Sequence, residues 1–220
     1  MNIEPKDKQA IIFDMDGVIF DSERAVYEGW LELSHKYGFQ NLDIPYMKCI
    51  GVNAEASRQI FLDYYGVDFP YDAYRKEQSE NYHAKYDNGR LPLKPGVREL
   101  LTALKSKGYR TAIASSTRTI LVMKQIEDAR LLPFFDVIIG GDMVQRSKPN
   151  PDIFLKTAGE LKCSPEAAYV IEDSYNGIRA AYTAGMIPIM VPDMLEPDDE
   201  MKQIAKYILN ALTEVKSLLV

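Results

Sequence analysis

Asp14 and Asp16 flank one methionine and are followed by Gly17 and Val18, directly after the apolar run Ala10-Ile11-Ile12-Phe13. Two carboxylates at the end of a buried strand repel each other and resist desolvation, so they call for a cation or a substrate between them. Gly17 allows a tight turn and a close backbone approach to a phosphate or a metal. In isolation the same residues also read as an Asp-rich turn. Three further polar islands bear on the choice. Ile113-Ala114 ends in Ser115-Ser116-Thr117, and Val137-Ile138-Ile139 leads through Gly140-Gly141-Asp142 to Ser147-Lys148-Pro149. Tyr169-Val170-Ile171 ends in Glu172-Asp173-Ser174, followed by Asn176-Gly177.

The elements that must position these groups are legible in the periodicity. From Gly96 onward, helix and strand patterns alternate. Val97, Leu100, Leu101 and Leu104 form one helical face ending at Gly108. Strands are expected over 110–114, 137–139, 169–171, 187–191 and 207–209, with helices over 118–131, 151–162, 174–184 and 210–219. Alternating βα units imply an α/β fold: a doubly wound parallel sheet covered by helices on both faces. In such a sheet the strand carboxyl ends share one rim, and ligands bind where the strand order reverses. Asp14, Asp16, Ser115, Lys148 and Asp173 are therefore expected in one crevice.

Residues 20–91 differ in character. Val26, Trp30, Leu33 and Tyr37 recur at helical spacing, with Ser22 as the expected cap and Gly38 as the stop. Asn53 is expected to cap a second helix carrying Ile60, Phe61 and Tyr64 and ending at Gly66, and a more polar helix is expected over 71–86. Leu91-Pro92-Leu93-Lys94-Pro95-Gly96 reads as a stiff return linker. The expected organisation is a catalytic core, 1–19 and 92–220, with an all-helical insertion, 20–91, after the first strand. Nine of the 14 tyrosines fall between Tyr27 and Tyr86; most are expected to pack the helical segment, and one or two to face a ligand.

Composition bounds the function classes. A chain of 220 residues with 46% hydrophobic and 26% charged residues is that of an ordinary globular protein able to bury a sizeable core. Its formal charge of -6 argues against nucleic acid or an anionic membrane as partner. Cys49 and Cys163 provide neither a disulfide framework nor metal-ligand spacing, which fits a reducing cytoplasm. The first eight residues lack the apolar stretch of a signal peptide, and no run reaches membrane-span length. A monomer is the default expectation. His35 and His83 have no metal-spaced partner and read as surface histidines.

The set DxDGV, the strand-end serine, the lysine of SKPNPDIF and the run EDSxNGI, in this order, resembles the haloacid dehalogenase-like hydrolase superfamily. The branch with a helical cap after the first strand fits best, in the style of its small-molecule phosphatases and beta-phosphoglucomutases. The resemblance covers nearly the whole chain and implies a Rossmann-like core. It implies that Asp14 is the nucleophile, forming an aspartyl-phosphate intermediate, and that Asp16 is the general acid and then the base. It further implies that Lys148 neutralises nucleophile and phosphate, and that Ser115, with Ser116 and Gly17, binds phosphoryl oxygens. The implied cofactor is Mg2+, held by Asp14, Asp173, the Asp16 carbonyl and Glu172. The implied substrate is a small phosphorylated metabolite, with 21–24 and 91–96 as the hinges of the cap.

Bland alternatives stand beside these roles. Ser115 can cap the following helix, Lys148 can be a solvated surface lysine, and Glu172 and Asp173 can be helix-start acids. Ser174 and Asn176 read as helix-start hydrogen-bonders rather than ligands. Between phosphatase and mutase, the residues favour phosphatase. A beta-phosphoglucomutase carries a histidine on the first cap helix, where this chain has Val26. Cap cations for a second phosphate are replaced by Ala54 and Gln78, with Arg58, Arg75 and Lys76 near enough to substitute. A non-catalytic phospho-ligand sensor would have lost the nucleophile or the acid, and both are present. Halide displacement does not require Asp16 or Asp173.

Overall fold

The computed structural model describes residues 9–52 and 54–220. Asn53, expected to cap a helix, and the first eight residues lie outside them.

Six strands form one all-parallel sheet: β1 Ala10–Phe13, β2 Arg110–Ala114, β3 Val137–Ile139, β4 Ala168–Glu172, β5 Ile187–Met190 and β6 Tyr207–Ile208. Their order is β3-β2-β1-β4-β5-β6. The order reverses between β1 and β4, where Phe13 pairs with Ile171. This is where a doubly wound sheet opens a crevice. The α/β architecture is thus the one expected from the alternation of strand and helix patterns.

Alternation along β1 explains why the sheet is covered on both faces. Ile11 and Phe13 join a cluster with Leu100, Leu101, Leu104 and Val215. Ala10 and Ile12 join another with Ile153, Phe154, Ala158 and Ala181. Both faces are apolar because both are buried. Helix α5 (Val97–Ser106) and helix α10 (Leu212–Leu219) supply the first face, and α7 (Asp152–Leu161) and α8 (Tyr175–Thr183) the second. Helix α6 (Thr119–Asp128) follows β2, and α9 (Asp199–Ile204) precedes β6.

Between β1 and α5 the chain forms four helices: α1 Ser22–Tyr37, α2 Asp43–Met47, α3 Ala54–Tyr65 and α4 Tyr71–Tyr86. They enclose a separate aromatic core of Trp30, Leu33, Tyr46, Phe61 and Tyr71. Trp30 lies 4.7 Å from Phe61 and is stacked at 5.5 Å on Tyr71, centroid to centroid. The entering and returning strands of this insertion are bound together. Asp21 N–H donates to the Pro92 carbonyl and Lys94 N–H to the Ile19 carbonyl, each at 2.9 Å.

Two local expectations need correction. Ser22 does not cap α1: Asp21 holds that position, and the Ser22 hydroxyl turns into the site instead. Gly38 does end the helix, in a left-handed conformation with φ 76° that glycine adopts without penalty. Helices α2 and α9 were not expected. Both are too short for periodicity to reveal, being 5 and 6 residues long.

Candidate active site

Three strand ends and one loop converge as the sheet order requires. Asp14 follows β1, and its N–H donates to the Ile171 carbonyl of β4. Lys148 arrives on the loop after β3 and is buried. Its ammonium donates to Asp14 Oδ1 at 2.6 Å, Glu172 Oε1 at 2.7 Å and the Ala114 carbonyl at 3.1 Å. Three acceptors use all three of its protons. Burial opposes its charge, but the carboxylates of Asp14 and Glu172 outweigh burial and hold its pKa above the usual lysine value. The solvated-lysine reading therefore fails.

The acids face the opposite pressure. Burial pushes Asp14 up to about 8, with Lys148 opposing and Glu172 and Asp16 adding to the rise. Asp173 is raised well above the ordinary carboxylate range, first by burial and then by Glu172 and Asp14. One oxygen each from Asp14, Glu172 and Asp173 lie within 4.8 Å of one another. Three buried hard oxygen donors this close suit a small divalent cation such as magnesium. Gly17 keeps the space open: at φ +74°, a Cβ there would fall 2.2 Å from Asp173 Oδ2.

Glu172 is engaged on both sides. Its Oε2 accepts from Asp173 N–H, Ser174 N–H and the Ser174 hydroxyl, each at 2.9 Å. Ser174 also caps α8, accepting from Gly177 N–H at 3.1 Å, as expected of a helix-start residue. Gly177 is indispensable to this packing, because a Cβ there would meet Glu172 Oε1 at 1.7 Å. Asn176 bonds across the crevice instead: its amide donates to the Gly51 carbonyl of the helical insertion at 2.6 Å.

Asp16 is oriented by two hydroxyls. Ser22 donates to Oδ1 at 2.8 Å and Thr117 to Oδ2 at 2.9 Å. Asp16 is not among the clustered carboxylates, so any part it plays toward a metal rests on its backbone carbonyl. Gly17 does not offer its N–H to a phosphate, since that group donates to the Phe20 carbonyl at 3.0 Å. Ser115 is fully buried, and its hydroxyl accepts from Thr117 N–H at 3.1 Å. Ser116 and Thr117 reach the cavity wall in its place.

The cavity has a volume of about 360 Å³, with Asp14, Asp16, Lys148 and Asp173 on the core side and Glu23, Cys49, Gly51, Val52 and Ala54 facing them. That is within the range of a small-metabolite site. A second cavity of about 260 Å³ lies on the other side of Asp16, walled by Tyr82, Tyr86, His83 and Gln125. Among the described residues no tyrosine borders the catalytic cavity, where one or two had been expected to face a ligand; Tyr82 and Tyr86 line the side cavity instead. His35 is exposed, and the His83 Nδ1 meets Asp87 at 3.0 Å, with its ring edge-on to Tyr82. Thr117, Glu23 and Asp193 carry no motif signal of their own. Asp193 is held by Lys94 at 2.7 Å, while its Oδ2 is buried without a donor among the described residues.

Comparison with known proteins accords with this geometry. Residues 11–191 match the family model described as haloacid dehalogenase-like hydrolase. A phosphorylated carbohydrates phosphatase of Thermotoga maritima is 32% identical over 178 residues, 81% of this chain and 82% of that protein. A beta-phosphoglucomutase of Bacillus subtilis is 29% identical over 222 residues, 94% of each chain. Among solved structures, CbbY of Rhodobacter sphaeroides in complex with xylulose-1,5-bisphosphate superposes with a TM-score of 0.73 at 28% identity, covering 94% of this chain and 96% of that one. The chain belongs to the haloacid dehalogenase-like hydrolase family and is a phosphoric monoester hydrolase of its capped branch.

Proposed function

We propose that the protein is a magnesium-dependent phosphatase that hydrolyses a small phosphorylated metabolite through an aspartyl-phosphate on Asp14, with residues 20–91 as its cap. The observation that carries this reading is the contact of Asp14 with Lys148 beside Asp173 at the sheet's switch point. Lys148 engages Oδ1 of Asp14, leaving Oδ2 to attack phosphorus in line. Asp16 delivers a proton to the departing alkoxide oxygen. In the second half, Asp16 takes a proton from water, whose oxygen attacks phosphorus and breaks the bond to Asp14, releasing inorganic phosphate. Both Asp16 oxygens now accept hydrogen bonds, and a hydroxyl can reverse to accept when Asp16 carries a proton.

Asp14, Asp173 and the Asp16 carbonyl would hold the magnesium. When bound, it supplies charge neutralisation for the phosphoryl oxygens. Glu172 holds Lys148 through Oε1 and the turn before α8 through Oε2, and adds the third carboxylate to the cluster. Ser116 binds a phosphoryl oxygen from the cavity wall, and Ser115 fixes the turn that presents it. A mutase reading is suggested by relatives named beta-phosphoglucomutase. Against it, Arg58 is paired with Asp72, Lys76 lies beside Glu80 and Gln78 is buried against the Val26 carbonyl. None of these, nor Arg75, borders the catalytic cavity.

With magnesium, release of phosphate from sugar phosphates and nucleotides should exceed bisphosphate-dependent isomerisation of glucose 1-phosphate. Asp14→Asn should abolish release while circular dichroism shows an intact fold. Dominant isomerisation, or turnover surviving in the variant, would refute the proposal.

A further inference from the structure

The cap contributes one charged side chain to the catalytic cavity among the described residues, and it is acidic. Glu23, in the first turn of α1, borders the space directly across from Asp14 and Lys148. The other cap residues there offer little polarity: Gly51 has no side chain, Val52 and Ala54 are apolar, and the Cys49 thiol donates back to Pro45. The Glu23 carboxylate itself has no hydrogen-bond or ion-pair partner among the described residues, although its backbone carbonyl accepts from Tyr46. Burial, followed by Asp16 and Asp193, pushes this carboxyl up to about 7, so its surroundings do not supply the donor it lacks. A partly buried acceptor without a donor is unfavourable unless a ligand satisfies it.

The cation count points the same way. Lys148 is the sole basic residue on the cavity wall among the described residues, and its three protons are engaged. Within this cavity a second anionic group would find Glu23 and no countercharge, and Lys124, in the side cavity that also borders Glu23, is paired with Asp128 at 2.8 Å.

We infer that Glu23 is the specificity-determining residue of the cap, accepting hydrogen bonds from hydroxyls of the organic moiety, so that the site selects polyhydroxylated monophosphates over esters bearing a second anionic group. This rests on the phosphomonoesterase reading and narrows its substrate class. Hydroxyl donors bound to a carboxylate form charge-assisted hydrogen bonds of roughly twice ordinary strength. Like charges in a desolvated cavity repel strongly.

The test separates the two readings by measuring binding apart from turnover. In an Asp14→Asn background with magnesium, calorimetric Kd values are compared for glucose 6-phosphate and fructose 1,6-bisphosphate. Glucose 6-phosphate should bind at least about tenfold more tightly, and adding Glu23→Arg should shift the ratio about tenfold or more toward the bisphosphate. Should that variant misfold, Glu23→Gln keeps an acceptor without the charge and should move the ratio the same way by about threefold. Equal affinities, a bisphosphate preference in the parent, absence of binding by both probes, or a ratio insensitive to position 23 would overturn the inference. Absence of phosphate release by the wild-type enzyme, with the Kd pattern as stated, would instead refute the phosphatase reading alone.

Discussion

At the residue scale, the site is a buried set of acids balanced by one lysine. The carboxyls of Asp14 and Glu23 are raised to about 8 and about 7, and Asp173 is raised as well. A carboxyl whose folded pKa exceeds its unfolded one contributes stability that is full below the unfolded value and is lost as pH rises through the folded value. Metal-free protein should therefore lose thermal stability between about pH 4 and about pH 8. Magnesium should raise Tm, and raise it more at the alkaline end, because it favours the ionised carboxylates. Calorimetric scans across that range, with and without magnesium, check this; a Tm indifferent to the ion at high pH would contradict it. Thr117 allows a second test. Thr117→Val removes the donor to Asp16 Oδ2, and kcat should fall about tenfold with a smaller change in KM, since orientation of the acid rather than binding is lost. Steady-state kinetics would read this directly.

Sequence and structure diverge at this scale for a physical reason. Asp14, Lys148 and Asp173 were legible because buried charge at strand ends has few structural explanations. Ser22 was misread as a helix cap because capping and side-chain donation use the same residue types. Ser115 was expected to meet the phosphoryl group, yet its hydroxyl is buried in the turn and Ser116 reaches the cavity wall, since successive residues at a strand end point to opposite sides. Glu23 was read only as part of a hinge and Asp193 not at all: each is one acid in a polar stretch, and only the tertiary fold places Glu23 on the cavity wall.

At the element scale, the insertion meets the core through short, specific contacts. Its long helices were legible from spacing and glycine stops, whereas the short α2, which leads into the Gly51 loop, was not. Asn176, at the start of α8, donates to the Gly51 carbonyl at 2.6 Å, tying that loop to the crevice. Gly51 itself sits at φ +74°, a conformation that favours glycine, and a Cβ there would lie a tight 3.3 Å from the Ser174 Cβ. Asn176→Ala should raise KM about three- to tenfold, the loss expected from one hydrogen bond, and leave Tm within a few degrees. An unaltered KM would show that the contact is incidental to substrate binding.

At the scale of the whole molecule, six parallel strands gather groups from positions 14 to 173 at one reversal of strand order. That architecture was legible from the alternation of patterns, since buried parallel strands read as short apolar runs. The net charge of -6 sets the long-range field around this crevice. An acidic protein repels a phosphate ester at a distance, and salt screens that repulsion. At fixed free magnesium, raising the ionic strength from about 0.02 M to about 0.2 M should increase kcat/KM about twofold, with little effect on kcat. A steep decrease would instead reveal a basic approach path.

The proposed reaction depends on a phosphoryl group passing through Asp14. Mixing enzyme, magnesium and an intact sugar phosphate that the enzyme hydrolyses, quenching in acid within one turnover and sequencing the peptides by mass spectrometry tests that directly. The peptide containing Asp14 should carry one added phosphoryl group on that residue, and the label should vanish in Asp14→Asn. Turnover with the label on another side chain, or with no labelled protein at any quench time, would contradict the account.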